Sequence, residues 1–340
     1  MPARTLLARL PESVKAPLRP VRAVCRNAAR LGVDAVAATV AWLPHPPERQ
    51  VDGLAQSRLS DSRKKLPTQR HFGPRDLDRL TALLREADAV VSVAEAFDRR
   101  SSRPERFVAL RHDMDHDVEN SVRMAEWEAS AGLTSTYYVL HTDWYWGDQG
   151  PGRPSAFVLR ALDRIASLGH EIGVHNNALA EALRTKRDPA EILEEVLTAL
   201  RDHGFRIRGT ASHGDPLAVR LNFRNYEMFE DCRRGDGVPQ ERTIEDVDEP
   251  LGRRSKLDIR PVPMARFDLE YEAYYIGHTL ELSESGGRWS QPPDGVASLL
   301  RTNGAFLQIL THPVHWAFSG EVIHPIPTVL RHPDPTLHPS

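Results

Sequence analysis

Between residues 107 and 212, short apolar runs alternate with longer amphipathic ones, and no other feature constrains the fold as strongly. "FVALR" (107–111), "TSTYYVL" (134–140), "EIGVH" (171–175) and "FRIRGTAS" (205–212) read as strands, and "AFLQILT" (305–311) as a late one. The intervening segments 118–132, 155–169 and 188–204 carry apolar residues at helical spacing, as does 74–87 before them. Asp188 and Pro189 suit a helix start, and Gly204 suits a helix stop. Strands that alternate with helices are joined by crossovers, which predicts an α/β fold with a mostly parallel sheet and helices outside it. No glycine-rich phosphate loop follows any of these strands, which weighs against dinucleotide and nucleotide chemistry.

The flanks differ from this core. Residues 1–44 form a basic then apolar segment. Arg4, Arg9, Lys15, Arg19, Arg22, Arg26 and Arg30 face a single acid, Glu12, and are followed by "LGVDAVAATVAWL". That apolar run is too short to span a bilayer. The segment reads as a helix packed on the main domain, a basic amphipathic helix making peripheral membrane contact, or a cleaved signal. Residues 45–73 read as a polar, proline-bearing linker, 74–318 as the principal domain and 319–340 as a Pro/His-rich extended tail. The region 216–290 reads as a loop-rich insertion around a strand or two. A formal net charge of −3 gives no global nucleic-acid signal. Cys25 and Cys232 are too few for a disulfide framework and suit a reducing, cytoplasmic compartment, with the membrane surface as a further location.

In parallel α/β folds, functional groups gather at the carboxyl ends of strands. Behind 107–111 stand Asp113, Asp115, His116 and Asp117, and Asp117 suits the N-cap of the helix that follows. Behind the next strands stand His175 in "GHEIGVHNN", His213 in "ASHGDP", and His312 with His315 in "LTHPVHW". A lone histidine at a strand end is usually structural, but agreement across several strands points to one rim. Carboxylate and imidazole without cysteine suit zinc or a similar first-row divalent ion such as cobalt or nickel. Such an ion acidifies water and polarises a carbonyl, while a further carboxylate and histidine serve as base and acid. Arg111 lies two residues before Asp113 and on the same face of the strand, where it would lower that aspartate's pKa or form a structural ion pair.

These motifs resemble the polysaccharide deacetylase family, carbohydrate esterase family 4, over roughly 74–318. The resemblance rests on the acidic motif "RHDMD", on "GHEIGVH", on the region of "ASHGDP" and on Leu310-Thr311-His312, with "SESGGRW" (283–289) similar to a tryptophan-containing motif. It implies an irregular parallel (β/α) barrel of about seven strands. It also implies metal-dependent removal of acetyl groups from a carbohydrate, whether free, nucleotide-linked or lipid-linked. The family's two acidic residues are adjacent, whereas here Met114 separates Asp113 from Asp115. If strand geometry persists, both still share a face. Asp113 then matches the base and Asp115 the ligand, or the reverse. His175 matches the first histidine of the family's paired motif, but the second position is Leu179.

His213 is the expected replacement ligand, His170 is the runner-up, and Asn176 or Asn177 could donate an oxygen. His312 matches the catalytic acid. Glu284 and Arg288 are expected to orient His312 or Asp113. Trp289 and Leu310 are expected to wall an acetyl pocket or simply to pack in the core. His315 stands close behind the acid, in a substrate-side or structural role. Two other readings compete with deacetylation: a hydrolase of another C–N bond, such as a formamide or ureide, and an inactive barrel that serves as a binding protein.

Overall fold

The helical spacing from Pro74 becomes α1 (Pro74–Leu84), with Pro74 at its first position and Asp76 accepting a hydrogen bond from the Gly73 amide at 2.9 Å. β1 (Ala89–Val91) and the short α2 (Val93–Asp98) come next. The apolar run before the acidic motif forms β2 (Arg106–Asp113). Asp117 caps α3 (Val118–Ser130), as its position implied. β3 (Thr136–Leu140), α4 (Ala156–Ser167), β4 (Glu171–Asn176), α5 (Ala178–Thr185) and α6 (Pro189–Asp202) continue the alternation. Asp188 accepts from the amides of Ala190 and Glu191 at the start of α6. β5 (Gly209–Ser212) and α7 (Pro216–Leu221) follow.

The computed structural model describes residues 70–318 apart from 103, 105, 249–252 and 302–304. The chain divides into two compact units, Met1–Arg63 and Lys64–Ser340, and every described residue lies in the second. The readings of 1–44, of 45–69 and of the 319–340 tail fall outside the described residues. The end of the expected linker belongs to the folded unit. Arg70 donates to the Val314 carbonyl at 2.6 Å and to Asp117 at 2.9 Å, and Phe72 stacks on Trp316. No helix among the described residues is long and apolar enough to cross a membrane.

The region 216–290 is more ordered than its sequence suggested. It holds an antiparallel hairpin, β6 (Arg242–Asp248) with β7 (Arg253–Ile259), then β8 (Tyr271–Glu272) and β9 (Leu280–Ser285). β9 turns into β10 (Arg288–Trp289) through Gly286 and Gly287, whose φ values of 58° and 75° suit glycine. α8 (Pro293–Leu300) and β11 (Ala305–Thr311) complete the unit.

The main sheet runs β10-β9-β11-β2-β3-β4-β5-β8, with β1 beside the first half of β2. Every pairing in it is parallel except β9 with β10. It is a curled half-barrel flanked by helices. No pairing among the described residues joins β8 to β10, so the sheet is a half-barrel and not clearly the barrel of about seven strands that the motif resemblance implies. Both terminal strands are two residues long and leave little backbone for closure.

Alternation along each strand separates two cores. Val108 and Leu110 of β2 join the larger cluster beneath the helices, whereas Phe107 and Ala109 join a smaller cluster inside the curl. Inside, the Tyr138 and Tyr271 hydroxyls meet at 3.2 Å across the curl. Gly173 and Gly209 permit this: a Cβ on either would fall 2.4 Å and 2.2 Å from those tyrosine rings. The curl is floored by α2, whose Val93 and Ala94 amides donate to Thr136 and Glu171 at the starts of β3 and β4. Its opposite rim, where the strands end, is the rim on which the sequence placed its acids and histidines.

Candidate metal centre

The inner face of β2 continues from Ala109 to Arg111 and Asp113, while His112 turns outward. The extended run does not stop at Asp113. The Met114 amide donates to the Tyr138 carbonyl at 3.0 Å, and the Met114 side chain is buried in the outer core. Asp115 therefore returns to the inner side, as side-chain alternation requires.

His175, the penultimate residue of β4, lies on that same side. Its Nδ1 lies 3.0 Å from the Ala211 carbonyl, and a carbonyl only accepts. The proton therefore sits on Nδ1 and the lone pair on Nε2. Nε2 stands 3.5 Å from Asp113 Oδ2, 3.6 Å from Asp115 Oδ1 and 3.0 Å from His213 Nδ1. His213 is fixed through its backbone, donating to Asn176 and accepting from Asn225 Nδ2. Its Nδ1 is 3.7 Å from Asp115 Oδ1.

Asp115, His175 and His213 thus offer ligand atoms that all lie within 4.8 Å of one another. Burial lowers the His213 pKa to about 4, which leaves a neutral imidazole. Burial alone would raise that of Asp115, but His213, His175 and His312 hold it well below the usual carboxylate range. Carboxylate and neutral imidazole are the forms that bind a cation. Asp115 Oδ1 is buried without a hydrogen-bond partner, and two ring nitrogens face each other beside it. A divalent ion fits this donor set.

His312 follows β11 and approaches from the other edge of β2. Its Nδ1 bonds the Glu284 carbonyl at 2.6 Å, and its amide donates to Glu284 Oε2 at 2.8 Å. Nε2 then faces Asp115 Oδ2 at 3.8 Å. Burial opposes charge on this ring, but the Glu284 carboxylate, with Asp115 and Asp113, raises its pKa to about 10. The other Glu284 oxygen accepts from the Gly287 amide, so the "SESGGRW" hairpin holds the carboxylate that holds His312.

The remaining expected residues divide by position. Arg111 is fully buried and its Nη2 lies 3.3 Å from Asp113 Oδ2, while Asp113 Oδ1 has no partner. Leu310 is buried beside Arg111 and Ser283 in register, facing the site. Trp289 instead packs against Phe72 and Trp316, so it belongs with core packing. Arg288 lies with Phe72, Asp76 and Asp294 around a groove beside α1, with no bond to Asp113 or His312 among the described residues. His315 stands 6.4 Å from His312, ring to ring, and its carbonyl anchors the His71 and Phe72 amides.

Leu179 is packed in the outer core, and neither asparagine replaces it. Asn176 Oδ1 accepts from the Ala178 amide, and Asn177 Oδ1 accepts from Asn225. His170 faces outward as well, bonded to Ser135 and the Ala125 carbonyl. It joins a buried network in which Glu128 accepts from Ser135 and Tyr137 and meets His112 at 2.7 Å.

Two groups at this rim escaped the sequence reading. His141 immediately follows β3, accepts from the Asn177 amide at 3.2 Å, and is kept neutral by burial, which lowers its pKa to about 3. Asp143 binds the His116 amide at 2.8 Å and the His116 ring at 3.0 Å. His141 stands directly behind the apolar run "TSTYYVL", a strand-end position of the same kind as those of His175, His213 and His312.

No protein-family model matches the chain, and no curated protein matches its sequence.

Proposed function

We propose that this protein is a metal-dependent hydrolase that removes an acetyl or similar acyl group from a sugar amide or ester. One observation carries this reading: Asp115, His175 and His213 converge as a ligand trio with Asp113 and His312 beside them. Three protein ligands suit a catalytic rather than a structural zinc site. A divalent ion, zinc foremost and cobalt or nickel as alternatives, would supply an acidified water and a polarised acyl carbonyl.

The chain supplies the proton transfers. Arg111 holds Asp113 Oδ2, which leaves Oδ1 to take a proton from the water that adds to the acyl carbon. Nδ1 of His312 is committed to Glu284, so Nε2 delivers a proton to the departing nitrogen or oxygen as its bond to the acyl carbon breaks. The products are the free sugar amine or alcohol and the carboxylic acid. Because His213 provides the nitrogen that Leu179 cannot, the missing second histidine does not argue for an inactive barrel.

The carbohydrate substrate, whether free or linked to a nucleotide or lipid carrier, and the irregular-barrel fold type rest on the motif resemblance. A cytoplasmic site of action, at the membrane surface through the basic N-terminus, belongs to the same proposal. The test is a screen of N-acetyl, N-formyl and O-acetyl sugars with the full chain, reading released acid with and without a chelator. Chelator-sensitive acetate release is expected. Release of formate alone would move the reading to a deformylase, and no release from any sugar would overturn it.

A further inference from the structure

We infer that the indole of Trp144 is a stacking platform for a pyranose ring of the substrate beside the metal centre, an inference that rests on the carbohydrate reading above. Trp144 is 37% exposed, one of four large hydrophobic side chains on the surface of the described residues. Its position is fixed. The indole Nε1 donates to the carbonyl of His116, the residue after Asp115, at 2.8 Å. Its amide donates to Asp143 Oδ1 at 2.7 Å, and its ring stacks on Phe157. The neighbouring Tyr145 donates its hydroxyl to the Met114 carbonyl at 2.6 Å, which pins the same loop to the acidic segment.

The imidazole of His116, 64% exposed, stands beside it. His116 has a φ of 61°, and its amide and Nδ1 both meet the buried Asp143 carboxylate. A left-handed non-glycine residue is uncommon and persists only where its surroundings over-determine it. The structure thus commits a buried carboxylate and a strained backbone to holding an exposed indole and an exposed imidazole at the mouth of the site.

That pair matches a sugar. The axial C–H groups of a pyranose make an apolar face for an aromatic ring, and its equatorial hydroxyls need polar neighbours, here His116 Nε2. Size argues against a protein partner. One aromatic side chain offers about 150–250 Å², far below the roughly 800 Å² per partner of a stable interface.

The test is isothermal titration of the zinc-loaded full chain with tri-N-acetylchitotriose, for wild type, Trp144→Ala and Trp144→Phe. The alanine variant is expected to bind about tenfold more weakly and the phenylalanine variant within about threefold of wild type. In turnover of the same trisaccharide, KM rises in Trp144→Ala while kcat changes little. If Trp144→Ala loses its native circular dichroism spectrum, Trp144→Leu carries the same expectation, because it keeps bulk but no π face. Equal affinity in folded variants lacking the ring, or no binding by wild type, overturns the inference. Binding that depends on Trp144 without acetate release would sink the hydrolase reading and leave this one standing. Acetate release with an unchanged KM in Trp144→Ala would do the reverse.

Discussion

Asp113 and Asp115 flank Met114, yet each brings a carboxylate oxygen to His175 Nε2, at 3.5 and 3.6 Å. The relationship follows from one backbone hydrogen bond. Because the Met114 amide still pairs with Tyr138, the strand alternation runs through all three residues and sends only Met114 into the outer core. Both carboxylates share a face, but their neighbours differ. Asp113 is bonded to Arg111, and Asp115 is ringed by histidines.

That difference favours Asp113 as the base of the proposed hydrolysis. Asp113→Asn is expected to fold, to keep its metal and to lose hydrolytic turnover by about 100-fold or more. Metal content measured alongside turnover decides it. An intact fold without metal would mean that Asp113 is the ligand and Asp115 the base.

His213 and Leu179 make a second pair of predictions. His213→Ala is expected to lose one of three ligands and with it most of the metal affinity. Adding Leu179→His to that variant should not restore binding, because position 179 faces the outer core. An imidazole buried there without a partner should instead cost about 1–3 kcal/mol of stability. Recovery of metal binding in the double variant would contradict the placement of α5.

The pH dependence should report His312. Its pKa is raised from 6.5 to about 10 in the folded chain. Its contribution to stability is therefore fully present below pH 6.5 and is lost as pH rises through about 10. The alkaline limb of kcat/KM should lie above the ordinary histidine value of 6.5, because Glu284, which is not among the proposed ligands, still favours the charged ring and the acid works only while protonated. Glu284→Gln removes the carboxylate that raises it, so the limb should move toward neutral pH. A limb that does not move would show that another group sets it.

On the outer face of the sheet, Glu128 accepts from Ser135 and Tyr137 and pairs with His112. His112 draws its pKa down against the opposing effect of burial. Glu128→Ala should strand these partners in the core and cost about 3–5 kcal/mol, read as a lowered denaturant midpoint. Metal content should stay at the wild-type level, because the network and the metal centre lie on opposite faces of β2.

Much of this was legible in the sequence because it is local. The alternating apolar runs placed β2, β4, β5 and β11, and strand ends in a parallel sheet share a rim, so His175, His213 and His312 could be grouped before any contact was known. Period-two alternation was enough to put Asp113 and Asp115 together across Met114. What stayed hidden depends on partners distant in sequence. β8 and β10 are two residues long and have no pattern of their own, so the open edges of the sheet could not be foreseen. The hairpin turn at Gly286 and Gly287 decided that Glu284, and not Arg288, reaches His312. Trp144 was unreadable because it sits in a loop with no periodicity and one of its anchors, His116, precedes it by a whole helix and strand.

The most direct test of the account is the metal content of the purified full chain, by mass spectrometry, compared with His213→Ala. About one zinc, cobalt or nickel ion per wild-type chain is expected, with a large loss in the variant. A wild-type chain that carries no such ion and takes up none on titration would contradict it.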